Sequence, residues 1–333
     1  MITPKGAIAM KEIVIGPNDG GQRLDKFLQK SLPALPPALM HKYIRLKRVK
    51  RNGKRTHPGE KLETGDILSL YLNDELLERP AADQMFRRIR PNLQIVYEDD
   101  QILLCDKRPG MVVHEDDEGA SDTLINHIKA YLYQKGQWDP DQEQSFAPAL
   151  CNRIDRYTGG IVMAAKTAEA LRVLNEKIRL RQVQKYYLCL VHGVPSPKEA
   201  ILSDRLLKDG DKNAVRVVRG AASRDKNARE ASMRYQVLQS RSGVSLLECQ
   251  LFTGRTHQIR VQLASRGWPL LGDAKYGVNA RNKAFGMTHQ ALYSYKLRFA
   301  FQGEPTCLDY LNGRTFQVKD TPFLELFYRL PKA

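Results

Sequence analysis

The sequence predicts an α+β protein, with a small basic module ahead of a larger domain built around a largely antiparallel, mixed sheet. Three observations predict this class. Beyond residue 94, strand-like and helix-like runs are mixed without a regular β-α-β alternation, which disfavours a doubly wound parallel sheet. No Gly-x-Gly-x-x-Gly and no Gly-Lys-Ser/Thr phosphate loop occurs, so nothing points to a dinucleotide or nucleoside triphosphate cofactor. The charge is also uneven. The 333 residues carry a net charge of +16, and Met1–Asn73 alone holds fourteen Lys and Arg against six Asp and Glu, half of the excess. The expected boundaries are a small α/β module over 10–73, a linker over 74–93 and the larger domain over 94–333.

Composition narrows the class further. With 42% apolar residues the chain can bury a core, and no apolar run approaches the roughly 18 residues that cross a bilayer. Met1–Lys11 lacks the apolar stretch of a signal peptide, so a cytoplasmic location is expected. The five cysteines, Cys105, Cys151, Cys189, Cys249 and Cys307, are odd in number and far apart, which predicts buried free thiols with neither disulfides nor a metal knuckle. A polyanion is the expected partner. A monomer is expected, because no self-complementary apolar surface is readable in the pattern.

In the module, Leu24, Phe27 and Leu28 are spaced for one helical face and Leu39, Tyr43 and Leu46 for another, with Pro33, Pro36 and Pro37 between them. Arg51-Asn52-Gly53-Lys54 reads as a turn, and Asp66–Leu72 as a closing strand. The run Lys42–Arg55 holds Lys42, Arg45, Lys47, Arg48, Lys50, Arg51, Lys54 and Arg55 with no acid among them. Such a run is either a solvated face or, on an amphipathic helix leading into a basic turn, a platform for backbone phosphates. The residues from Asn73 to about Leu93 show no sustained period and read as a linker that would let the two parts move independently.

In the larger domain, Ile95–Tyr97 and Ile102–Cys105 read as strands joined by a turn, with the breaker Lys107-Arg-Pro-Gly110 after them. Further strands are expected at Ile161–Ala165, Tyr186–Val191, Met233–Leu238 and Ser245–Phe252, and helices at Thr123–Tyr133 and Ala168–Leu180. Two segments concentrate chemistry. Cys151–Gly160 sets Asp155 between Arg153 and Arg156 ahead of a polar turn with two glycines; neighbouring cations favour an ionised carboxylate, which can be a nucleophile, a base or a structural ion-pair partner. Leu251–Arg260 ends a half-buried strand at Thr253-Gly254, and Thr256 is positioned to cap a helix, so that Arg255, His257, Gln258 and Arg260 crowd its N-terminus. His257 is as well read as a structural histidine as a catalytic one, and the absence of a nearby Ser or Cys nucleophile disfavours a hydrolase triad.

Four blocks in order resemble the RluA-type family of RNA pseudouridine synthases: Tyr97-Glu-Asp with Lys107-Arg-Pro-Gly110; Asn152-Arg-Ile-Asp155-Arg-Tyr-Thr-Gly-Gly160; Lys185-Tyr-Tyr187 through Gly193; and Thr253-Gly-Arg-Thr-His-Gln-Ile-Arg260 with Gly272–Gly277. Ahead of them, Gly21–Leu28 and Arg45 through Gly53 resemble the RNA-binding domain of the S-four ribosomal protein type. The resemblance implies a pseudouridine synthase fold that needs no cofactor or metal. It places Asp155 at the catalytic aspartate, Tyr187 at the tyrosine packed on the target base and Arg260 at the cation paired with the aspartate. Asn152 and Gly159 depart from the family's usual His and Ser. The expected partner is RNA, contacted by Arg153, Arg156, Arg255, His257 and Gln258 in the larger domain and by Lys42, Arg45, Lys47, Arg48 and Arg51 in the module. Large-subunit ribosomal RNA is the expected substrate. The alternatives are transfer RNA, or a non-catalytic RNA-binding assembly factor.

Overall fold

The computed structural model describes residues 8–77, 84–115, 121–209 and 214–332. The chain forms two compact units: Met1–Pro91 with Asn126–Ala149 and Lys166–Glu169, and Asn92–Ile125 with Leu150–Ala165 and Ala170–Ala333.

The first unit carries β1 (Ile8–Val14), α1 (Leu24–Ser31), α2 (Pro37–Arg45), β2 (Val49–Arg51), β3 (Lys54–Arg55), β4 (Ile67–Asn73) and α3 (Asp74–Leu77), its strands in the order β1-β4-β2-β3. Leu24, Phe27 and Leu28 are fully buried, as their spacing predicts. Helix α2 starts at Pro37, whose fixed φ suits the first turn, and buries Met40, Tyr43 and Ile44. Leu46, expected on that face, is exposed, because the helix ends at Arg45 and Lys47 (φ 61°) turns the chain into β2. The expected turn is a hairpin between Arg51 and Lys54 with positive φ at Asn52 (50°) and Gly53 (74°), the backbone that matches strand twist. Strand β1 escaped prediction because its exposed residues include Met10 and Val14 while Lys11 faces partly inward, an inverted alternation.

The expected linker is corrected at its described residues. Gln84–Arg88 forms a 3-10 turn, Phe86 is buried against Tyr133 and Trp138 at ring-centroid distances of 5.7 and 5.2 Å, and Arg87 pairs with Asp141 at 2.6 Å. A single aromatic in a polar stretch anchors it, too little for a periodicity to reveal.

The remaining elements are β5 (Gln94–Glu98), β6 (Ile102–Lys107), α4 (Leu124–Gln134), β7 (Ala149–Leu150), β8 (Gly159–Ala165), α5 (Ala168–Arg179), β9 (Val183–His192), β10 (Glu199–Asp209), β11 (Ala214–Val218), β12 (Arg229–Arg241), β13 (Val244–Leu251), α6 (Gln258–Ala264), α7 (Asn279–Lys283), β14 (Leu292–Phe299), β15 (Thr315–Gln317) and α8 (Leu324–Arg329). The main sheet runs β11-β10-β12-β13-β9-β14-β8-β6-β5, with β15 on β14 and β7 on β8. Its pairings along that path are antiparallel except β14 with β8. At that parallel junction the backbones are close: a Cβ on Gly160 would lie 2.2 Å from the Ser294 carbonyl oxygen. None of the five cysteines is in a disulfide, and burial pushes the thiols of Cys105 and Cys151 up to about 12, so they remain protonated.

Candidate active site

The loop between β7 and β8 presents Asp155. Two bonds pin it to one residue of β8: Cys151 N donates to the Met163 carbonyl (2.8 Å), and Met163 N donates to Asn152 Oδ1 (2.8 Å). The residue that departs from the family's usual His thus serves as a backbone clasp, and its Nδ2 is buried with no hydrogen-bond partner among the described residues. The far end of the loop is held by Lys107, whose Nζ donates to the carbonyls of Arg108, Met111 and Arg156 at 2.9–3.0 Å. Burial pulls the Lys107 ammonium down to about 8, opposed by the charges of Asp155 and Asp106.

Gly159 sits where β8 meets β14. A Cβ there would lie 2.3 Å from Cε2 of Tyr293, whose hydroxyl donates to Asp106 Oδ1 (2.7 Å). The ring fills the space a serine would use. Gly159→Ser is therefore expected to destabilise the fold by about 1–3 kcal/mol through overpacking, measured as a lowered denaturant midpoint; an unchanged midpoint would show that Tyr293 yields freely.

Arg260, on α6, faces this loop and is buried, its side chain 8% exposed. Its Nη1 donates to Asp155 Oδ2 (2.9 Å), while Nε and Nη2 donate to the two oxygens of Asp273 (2.7 and 2.9 Å). Asp273 is fully buried, and despite that burial the Arg260 guanidinium and the amides of Tyr276 and Lys275 hold its carboxyl below the usual range. Asp155 is 26% exposed and keeps an open side. One fork thus fixes two carboxylates, one sealed and one facing the cavity.

Tyr187 is on β9 and lies in the core face with Cys189 and Val191, 5% exposed. Burial, with a smaller push from Asp155, raises its hydroxyl to about 12 against the hydrogen bond with Ser294, so it stays protonated at neutral pH. Its neighbour Tyr186 belongs to the opposite face, packed with Leu188 and beneath the Lys296 ammonium (4.3 Å to the ring centroid).

Asp155, Tyr187 and Arg260 line one cavity of ≈ 630 Å³, within the usual range for small-ligand sites. Arg153, Arg156 and Arg255 line its wall and are exposed. Arg156 Nε donates to the Gly110 carbonyl (3.2 Å) and Arg255 Nε to that of Glu230 (2.9 Å), leaving parts of both guanidinium groups for a ligand. His257 lies deeper, its Nε2 3.9 Å from Asp155 Oδ2 and its Nδ1 sharing a hydrogen bond with Tyr276 Oη (2.8 Å). Burial lowers its pKa, so the ring is neutral near pH 7.

Three expectations need correction. Gln258 is buried and committed: its Oε1 accepts from Thr253 Oγ1 (2.8 Å) and Arg255 N (3.0 Å), and its Nε2 donates to the Ser232 carbonyl (3.1 Å). It shapes the loop and is not available to RNA. Thr256 does not cap α6; His257 occupies that position in the left-handed region (φ 52°) with no side-chain cap. Arg51 is not a free phosphate contact either, since it pairs with Glu60 (2.9 Å) and the buried Asp66 (2.6 Å) and so fastens the hairpin. In the same unit Lys42, Arg45 and Lys47 are exposed, and Arg48 lies over the Tyr43 ring (5.0 Å). Asp273 was given no role from sequence; its signal was the polar Gly272–Gly277 block that accompanied Arg260. Among the described residues no group of His, Cys, Asp and Glu side chains could hold a metal ion.

Residues 101–265 match the model of the RNA pseudouridylate synthase family and residues 22–68 that of the S4 domain. The chain is similar to the ribosomal large subunit pseudouridine synthase C of Haemophilus ducreyi, 31% identical over 86% of each chain. It is likewise similar to that of Haemophilus influenzae, 30% identical over 87% of each. Among solved structures, human RNA pseudouridylate synthase domain containing 4 superposes with a TM-score of 0.55 at 23% identity, covering 71% of this chain and 92% of that one, a likeness of fold. These relatives are matched along most of the length of this chain, with an S4 domain ahead of the matched synthase region, and the chain belongs to the RNA pseudouridylate synthase family.

Proposed function

We propose that this enzyme isomerises specific uridines of large-subunit ribosomal RNA to pseudouridine in the cytoplasm, acting as a monomer, with Asp155 as the catalytic carboxylate. The observation that carries the site assignment is the Asp155–Arg260–Asp273 arrangement, which offers one compensated carboxylate to a cavity walled by arginines. The ribosomal substrate is supported by the names of the relatives above, ribosomal large subunit pseudouridine synthases.

The isomerisation breaks the bond from ribose C1′ to uracil N1, turns the base, and forms a bond from C1′ to C5; the C5 proton leaves and N1 gains one. Electrons balance within the substrate. Asp155 can attack C1′, add to the base, or take the ribose 2′ proton to give a glycal, and each route needs the ionised form beside a fixed counter-charge. Arg260 supplies that charge without titrating. The buried Tyr187 offers a ring for the uracil to pack on, and its hydroxyl, held protonated by burial, must lose its own proton before it can take one from C5. The uridine must leave its helical stack to enter, at a few kcal/mol.

The test is a map of pseudouridine across ribosomal and transfer RNA with the gene deleted and restored. Loss of ribosomal RNA positions supports the reading, loss confined to transfer RNA replaces the substrate, and an unchanged map rejects the activity. The S4 domain makes a second expectation. Replacing Lys42, Arg45 and Lys47 together by Gln should weaken binding of the ribosomal RNA transcript and flatten the dependence of log Kd on log salt by about 2–3, since each phosphate contact contributes roughly 0.7–0.9. An unchanged slope would remove these residues from the interface.

A further inference from the structure

We propose that Lys185 binds a backbone phosphate of the RNA strand that carries the reacting uridine; this rests on the reading of the cavity as a uridine site. Alternation along β9 puts Lys185 on the same side as Tyr187, two residues on, and both line the cavity. Its ammonium has no ion pair and no hydrogen bond among the described residues. Gly254 also lines the cavity, and a Cβ there would stand 3.6 Å from Nζ. Of the other cations lining the cavity, Arg260 is committed to two carboxylates, while Arg156 and Arg255 each spend Nε on a carbonyl and keep the rest of the guanidinium for a ligand.

Burial without a partner disfavours an ammonium, and desolvation alone accounts for the lowering of the Lys185 pKa. The close partners of Asp155 are Arg260 and His257, so among the described residues the Lys185 ammonium is not committed to the reacting carboxylate. A phosphodiester supplies the counter-charge that the chain withholds. The neighbouring Gly254 is exposed and adds no side chain, which leaves the approach to Nζ open on that wall.

The experiment compares the full-length wild type with Lys185→Met and Lys185→Arg on a transcript of large-subunit ribosomal RNA, measuring kcat and KM for pseudouridine formation and Kd against salt. Lys185→Met should raise KM tenfold or more with a smaller change in kcat, and reduce the salt slope by about 0.7–0.9, the contribution of one phosphate. Lys185→Arg should recover most of both. The wild-type KM should also rise at a pH below the ordinary lysine range, as the ammonium deprotonates, and the Arg variant should not follow. An unchanged salt slope in the Met variant, or a fall in kcat at constant KM, overturns the proposal. A shallower slope in a protein that forms no pseudouridine would instead sink the uridine reading and leave the phosphate contact standing.

Discussion

Asp155→Ala abolishes pseudouridine formation, a loss on the order of 10⁴-fold or more, while the fold and the affinity for RNA persist. The size follows from removing the cavity-facing carboxylate that Arg260 compensates and that any of the three routes requires. Persistence of the fold follows from Arg260, which keeps both of its bonds to Asp273 when Asp155 is gone. RNA affinity should hold or rise slightly, because the guanidinium loses an acidic neighbour in a wall that already carries Arg153, Arg156 and Arg255. Asp155→Asn, which keeps the shape and removes the charge, should be as inactive as the Ala variant. Activity of either variant within tenfold of wild type, in a single-turnover assay on the ribosomal RNA transcript, would reject the assignment.

Arg260→Met produces the second large effect, and here stability and activity fall together. The fully buried Asp273 would lose its bidentate partner, and stranding a buried charge costs about 3–5 kcal/mol. Arg260→Lys should rescue poorly, since one ammonium cannot reproduce three directed N–H bonds to two carboxylates. The effect has a defined pH dependence. In the wild type the folded pKa of Asp273 is lowered, so its contribution is fully present above the unfolded value of about 4 and is lost as pH falls through the folded value. In the variant the carboxyl can protonate at acid pH and shed its penalty. The gap in denaturant midpoint between the two proteins should therefore be widest near neutrality and narrow below about pH 4. A gap that stays constant with pH would mean that lost packing, not the stranded charge, is responsible.

Much of the site was readable because it lies in short polar blocks at strand ends. Asp155 and Arg260 stand in short segments dense in glycine and arginine, whereas Tyr187 is what the family resemblance implies, alternation requiring only that Tyr186 and Tyr187 face opposite ways. Asp273 escaped because a buried carboxylate looks like any loop aspartate until its partner is known. Gln258 and Arg51 misled for the opposite reason: polar side chains in a basic segment read as surface, whereas both are spent on internal bonds. Among the elements, β10 was missed because only Leu202 and Leu206 along Glu199–Asp209 are buried, a spacing of four that mimics a helix, while Ile201 is 62% exposed. Strand β14 was missed although well buried; its pairing with β8 is parallel and its partners are distant in sequence, which local pattern does not encode.

Gly159 and Tyr293 occupy what is in effect one side-chain volume shared between two positions more than a hundred residues apart. Neither position is then free to drift alone. A relative that gains the serine usual at 159 must shrink or turn the ring at 293, and one that enlarges 293 must keep 159 bare. The two substitutions made together should cost less than the sum of each made singly, a coupling that a double-mutant cycle reads directly. Histories of the two sites in a family tree should be paired for the same reason, with a smaller residue at 293 accompanying a side chain at 159.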